Sequence, residues 1–281
     1  MADYDITAAF KAIEDELISS MIRNLGHHRA EETAEGIQWS QWQVEQLKAL
    51  EDYRRKNQKK FGSQFSSLNG KITELIRDNY NDGQTKQEQK ILQAVKRGFK
   101  GKGTNKPPFT GTTEVSGEFF GVNSRKLDAL ITATTNDMKK AETAVLRLAN
   151  DKYRKIIFNA QVYAATGGTY EQAVDMATKD MLRAGLNCVE YKNGTRHTLF
   201  DYADMAIKTA SKRAYLQGEG EQRKKWGIPT VILNKRTNAC PLCGKFAGRV
   251  FIDDVWSGGS KDGISPVTGV KYPLLSDAIK Q

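Results

Sequence analysis

A chain of 281 residues can bury a sizeable core as one large domain or two ordinary ones, and its formal charge of +10 points to a polyanionic neighbour, most simply nucleic acid. It contains no apolar run of about eighteen residues, which excludes a membrane-spanning helix, and its acidic opening, Met-Ala-Asp-Tyr-Asp, lacks the apolar core of a secretory signal. Three cysteines, an odd number, argue against a disulfide framework and for synthesis in a reducing cytoplasm.

The first part reads as helix. Ile6, Phe10, Ile13, Leu17, Met21 and Leu25 step by three or four and make one apolar stripe. Gly26 ends the run, followed by His27 and His28, which read as surface residues. A second stripe passes through Ile37, Trp42, Leu47, Leu50 and Tyr53 and ends near Gly62. A third uses Ile72, Leu75, Ile76 and Tyr80 and breaks at Asn81-Asp82-Gly83, with Ile91, Leu92 and Val95 beyond. These stripes bound a helical N-terminal region, residues 1–95.

Residues 96–123 change character, becoming rich in Gly, Thr and Pro. Lys96, Arg97, Lys100, Lys102 and Lys106 occur there with no acid among them, the pattern of a solvated linker or of an arm that contacts phosphates. A long helix is expected over 124–165. Leu127, Thr134, Ala141 and Leu148 repeat every seven residues, with Ile131, Met138 and Val145 between them. Such a seam serves a core or packs against another chain, so self-association is one expectation.

Residues 166–281 read as a small α+β domain. Tyr170, Val174, Ala177 and Met181 mark a short helix ending at Gly185. "NCVEYKNGTRHTLF" reads as two extended pieces about an Asn-Gly turn, and a helix is expected from Asp201 to about Gln217. "PTVILN", Pro229 to Asn234, is the clearest strand, and Arg249–Ile252 a second. No regular element is expected after Ser257, and no internal repeat is present.

Between those strands lies "NACPLCGKFAGRVF". Cys240 and Cys243, two residues apart, put two sulfurs on one side of a tight turn; Pro241 fixes a backbone angle and Gly244 permits a positive φ. A hairpin carrying such a turn at its tip resembles a zinc ribbon, whereas a redox Cys-x-x-Cys opens a helix. Structural zinc takes four ligands, and this turn supplies two. Cys188 and His197, flanking the Asn-Gly turn, are the other soft pair in this half; Asp253 and Asp254 are poorer candidates, and an unmetallated thiol pair is the plain alternative.

Catalytic motifs are thin. The chain has no G-x-S-x-G, no phosphate-binding loop of the G-x-x-x-x-G-K type and no H-E-x-x-H, and three histidines leave few general bases. The expectation is a non-enzyme.

From Asp201 the run "DYADMAIKTASKRAYLQGEGEQRKKWGIPTVILNKRTNACPLCGKFAGRVFIDDVWSGGS", followed by "YPLLSDAI", resembles the minor capsid protein 2 family of tailed phages, itself similar to the Mu F type head morphogenesis proteins. The resemblance is most specific over Asp201–Ile279. It implies a structural protein made in the host cytoplasm and carried in the virion, inside the head near the portal. Its implied partners are the portal or major capsid protein and packaged double-stranded DNA, and its implied role is head assembly or DNA delivery. It also implies that a His-Pro-x-x-Cys-like stretch after the segment matching "YPLLSDAI" completes the zinc site. On that reading the 281-residue chain carries only the Cys240–Cys243 half and binds little metal.

Non-specific phosphate contact is expected at Lys96, Arg97, Lys100 and Lys102, with Arg223, Lys224 and Lys225 contributing. The alternative class is a cytosolic zinc-ribbon nucleic-acid-binding protein, for which Lys235, Arg236, Lys245 and Arg249 would form a basic face beside the turn.

Overall fold

The computed structural model describes residues 2–25, 39–98, 117–166, 172, 175–176, 178–179, 182, 185–234 and 244–279. It is mostly helical, with two small antiparallel sheets, an α+β architecture. The elements are α1 (Ala2–Leu25), α2 (Trp39–Lys96), α3 (Gly117–Ala165), β1 (Asn187–Glu190), β2 (Arg196–Thr198), α4 (Leu199–Lys225), β3 (Thr230–Ile232), β4 (Val250–Ile252) and the short α5 (Leu275–Ile279). They form two compact units, Met1–Thr73 with Ala133–Lys208, and Glu74–Thr132 with Thr209–Gln281. Each unit is therefore assembled from distant stretches, whereas composition alone draws boundaries after 95, 123 and 165.

In the first unit the predicted stripe of α1 is the buried one: Ile6, Phe10, Ile13, Leu17 and Met21 all lie in the core. Phe10 stacks on Phe65 of α2 at 6.1 Å, and Lys60 of α2 reaches Glu16 of α1 at 2.7 Å. Tyr53 of α2 meets Tyr153 of α3 at 4.2 Å between ring centroids. On α3, Ile131, Met138, Ala141 and Val145 are buried as the heptad predicts, but Leu127, Thr134 and Leu148 are only half-buried. The buried line then drifts to Ala149, Tyr153 and Ile156, as a 3.6-residue helix drifts from a seven-residue repeat. This seam is therefore spent on the chain's own core.

The Asn-Gly hairpin forms as expected, β1 pairing with β2 through Val189↔His197 and Glu190↔Arg196, with a bulge before Val189. It delivers the chain to α4. Thr198 caps it: its hydroxyl accepts from the Asp201 amide at 3.1 Å and donates to the Asp201 carboxylate at 3.0 Å. The next orphan amide, of Leu199, donates to Glu14 of α1 at 2.6 Å. At the other end of α4, Gly227 takes a positive φ of 64°, Ile228 donates to Arg223 at 2.8 Å and Gly227 to Lys224 at 3.1 Å. That pair of bonds is a Schellman stop, and it places the end eight residues beyond the expected Gln217.

Two expectations are corrected. The N-terminal stripes do not end at Gly62 or Asn81-Asp82-Gly83: α2 runs 58 residues without a break. A glycine in a helix costs about 1 kcal/mol against alanine, too little to break a helix held by tertiary packing. Likewise α3 starts at Gly117, within the stretch read as a linker or arm. The residues between α2 and α3 from 99 to 116, Lys100, Lys102 and Lys106 among them, lie outside the described residues.

In the second unit, α2 and α4 cross at glycines. A Cβ on Gly83 would run into the Tyr215 carbonyl, and one on Gly218 into the Tyr80 carbonyl, so the backbones touch directly. Gly220 gives the same clearance to Trp256. The predicted β3–β4 hairpin is present, in the register Thr230↔Ile252, Val231↔Phe251, Ile232↔Val250. Two further bonds, Leu233 to Arg249 and Gly248 to Leu233, extend it. The tail beyond Ser257 is held by bridges Ile252↔Leu274 and Ile264↔Lys271 and ends in α5.

Candidate functional site

Helix C-termini carry the basic groups. α2 ends in Lys96, and Arg97 and Gly98 follow in a turn closed by Gly98 donating to Val95 at 2.9 Å. Both cations are exposed, at the end of the helix where the macrodipole favours positive charge. Arg97 and Lys90 border a hollow of about 540 Å³.

The last turn of α4 holds Arg223, Lys224 and Lys225, and the three diverge. Arg223, expected to face nucleic acid, is turned inward and is 8% exposed. Its Nη2 donates to Asp253 Oδ2 at 2.8 Å, and Nη1 lies 3.8 Å from Glu219. Asp253 is fully buried; its other oxygen accepts from the Trp256 amide at 2.9 Å and its carbonyl from the Ser257 hydroxyl at 2.9 Å. Asp254 accepts from the Ser276 amide at 2.9 Å, at the start of α5. These two aspartates hold the tail in place.

Lys224 and Lys225 stay exposed. With Lys126 of α3 they act electrostatically on the buried carboxyl of Glu221, which burial pushes above the usual carboxylate range and the three lysines pull back. Lys126 was not legible as a partner of this cluster, because it lies about a hundred residues away on an unremarkable polar face; Glu221, three and four residues before Lys224 and Lys225, was the available sign.

Cys188 lies on β1, at the bulge before Val189, and His197 lies on β2, paired with Val189. The Cys188 thiol is pushed up to about 12, first by burial and then by the charge of Glu14, and its Sγ lies 4.0 Å from the Ala141 carbonyl. His197 packs edge-on against Tyr191 at 4.7 Å. Among the described residues no three His, Cys, Asp or Glu gather as a metal-binding group. Cys240 and Cys243, with Lys235 and Arg236, lie outside the described residues.

Among the described residues no helix is long and apolar enough to cross a membrane. The model of one protein family, phage minor capsid protein 2, matches residues 3–268. No curated protein and no solved structure is similar enough to match.

Proposed function

Because the chain belongs to the phage minor capsid protein 2 family and is thereby a structural component of a phage virion, we propose that it works inside the head. Its place there is the portal or inner shell, against packaged double-stranded DNA, and its role is head assembly or DNA delivery. The observation that supports DNA contact is the pair of exposed basic helix ends: Lys96 with Arg97 after it at the end of α2, and Lys224 and Lys225 in the last turn of α4. Lysine and arginine presented this way neutralise phosphates without reading bases. Lys100 and Lys102 extend the first cluster along the sequence. Arg223 is left out, since its guanidinium is committed to Asp253.

The test is retention on duplex DNA at rising salt. Neutralising Lys96, Arg97, Lys100 and Lys102 together is expected to flatten the log–log salt slope by about one unit for each phosphate that is no longer neutralised. An unchanged slope returns that stretch to a solvated linker. Mass spectrometry of purified, nuclease-treated virions tests the location: the protein must remain when the shell is intact and accessible only to agents that enter it.

Cys240 and Cys243 are proposed as half of a structural zinc site. In keeping with the family resemblance, its other half is proposed to be other than Cys188 and His197, and zinc analysis of Cys188→Ser tests this.

A further inference from the structure

In the second unit the β3–β4 sheet has one occupied edge and one open edge. Asp253 donates to the Pro229 carbonyl at 2.8 Å and Leu233 to the Arg249 carbonyl at 3.3 Å. The hydrogen-bonded pairs of this ladder are therefore Pro229 with Asp253, Val231 with Phe251 and Leu233 with Arg249. The backbone groups of Thr230 and Ile232, which alternate with them, point away from β4. On the far side of β4 the matching groups are used: Ile252 donates to the Pro273 carbonyl at 2.9 Å and bridges Leu274 in parallel. On the far side of β3 no strand or bridge pairs among the described residues. Two N–H and two C=O groups thus line one edge, and Ile232 stands on it at 62% exposure.

Donors and acceptors alternating at the strand repeat are matched by another extended backbone. A docked helix has spent its backbone groups internally, and a phosphate backbone offers acceptors alone and gives nothing to the two carbonyls. Ile232 calls for an apolar residue directly opposite it on an added strand. Charge sets the flanks: the 24 residues from Pro229 to Ile252 hold Lys235, Arg236, Lys245 and Arg249 and no acid. Lys245 and Arg249 are exposed, with no acid paired to them among the described residues. Arg249 stands opposite Leu233, one strand spacing of about 4.8 Å from the open edge. A second copy of this chain would bring two such basic hairpins together, and like charges across a strand pair repel.

We propose that the outer edge of β3 takes up an extended, acidic segment of another protein, which joins the sheet as a further strand. Thr230 and Ile232 exchange hydrogen bonds with alternate residues of that segment, an apolar residue of it covers Ile232, and its carboxylates meet Lys245 and Arg249. Pro229, which has no N–H, bounds the edge at its start, so the added ladder is short and its affinity modest. Strand addition here is independent of the DNA contact proposed for the ends of α2 and α4, and either can fail without the other.

The probe is a fluorescein-labelled nonapeptide, Asp-Glu-Val-Thr-Val-Thr-Val-Glu-Asp, titrated by anisotropy into the full chain. Saturable binding is expected, and the same peptide with lysine in place of its acids should not bind. Of two versions methylated on alternate backbone nitrogens, one should bind about tenfold more weakly, because one alternate set of amides faces β3. Ile232→Pro removes an outward N–H and leaves the bonds to β4 in place. It should weaken the probe about tenfold at an unchanged melting temperature. Absence of saturable binding overturns the proposal, as does binding indifferent to Ile232→Pro. So does a 20-base-pair duplex that displaces the probe and is itself lost with Ile232→Pro, which would make the edge a DNA-binding surface. A dimer in sedimentation equilibrium that Ile232→Pro dissolves would give the edge to a second copy and overturn it too. If Ile232→Pro does not fold, the methylated peptides decide against the unaltered chain: equal binding of both versions and the plain probe overturns strand addition.

Discussion

Glu142 and Asn69 hold one another across the core of the first unit, with Asn69 Nδ2 2.9 and 3.2 Å from the two carboxylate oxygens. Burial pushes the Glu142 carboxyl from 4.5 up to about 7, against the opposing pull of Asn69 and Lys139. The folded chain thus binds this proton more tightly than the unfolded chain does. Its contribution to stability is full below about pH 4.5 and is lost as pH rises through about 7. Glu142→Gln should flatten the fall in stability between pH 5 and 8 and stabilise the protein at pH 8 by on the order of 1 kcal/mol. Urea midpoints at the two pH values check this, and an unchanged slope would place the titration elsewhere. Glu14, also raised to about 7 by burial ahead of its bonds from Leu199 and Phe200, contributes a slope of the same sign and would remain in that variant. Neither glutamate stood out in the sequence. Each is a common helix former whose burial depends on a partner far along the chain, at separations of 73 and 185 residues. The cysteines were legible as chemistry but not as environment. Zinc analysis of the 281-residue protein should find well under one ion, unaltered by Cys188→Ser with His197→Ala. Stoichiometric zinc abolished by Cys188→Ser would restore the paired arrangement.

At the scale of the element, periodicity gave the helices and their buried faces, while glycine misled about where they end. Gly62 and Gly83 look alike as punctuation. In the fold Gly62 has open space where a Cβ would stand, and Gly83 has the Tyr215 carbonyl. Gly62→Ala should therefore stabilise by about 0.5–1 kcal/mol through helix propensity alone. Gly83→Ala and Gly218→Ala should destabilise by about 1–3 kcal/mol, because backbone must move to admit the methyl group. Thermal melts of the three variants settle it; equal effects at positions 62 and 83 would mean that the crossing is looser than described. A crossing of this kind cannot be read from one helix, since both faces must be known before either glycine has a reason. The stops that were legible, Gly194 in the hairpin turn and the strands on either side of the Cys turn, are set by neighbours within the same short segment.

For the whole molecule, the family and the helical α+β class were legible, and the grouping into units was not. α2, α3 and α4 each contribute to both units, so no linker marks a boundary. A fragment of residues 166–281, which composition presents as a domain, keeps α4 but loses α2 and α3. Ala203, Ile207, Ala210 and Ala214 would then have no helix to cover them. That fragment should show little cooperative melting by circular dichroism. A sharp transition would make it an autonomous domain and would open a simple deletion route to mapping which part of the chain meets its partners.

The bond from Leu199 to Glu14 also sets a clock on synthesis. Its partners are 185 residues apart, and a ribosome adding about 5–20 residues per second needs roughly 10–40 s to travel that far. The first unit cannot close in that interval, and the second awaits the tail that Asp253 secures. A nascent chain of this protein therefore spends most of its translation with α1's apolar stripe incompletely covered. Premature termination anywhere before residue 199 yields no finished unit.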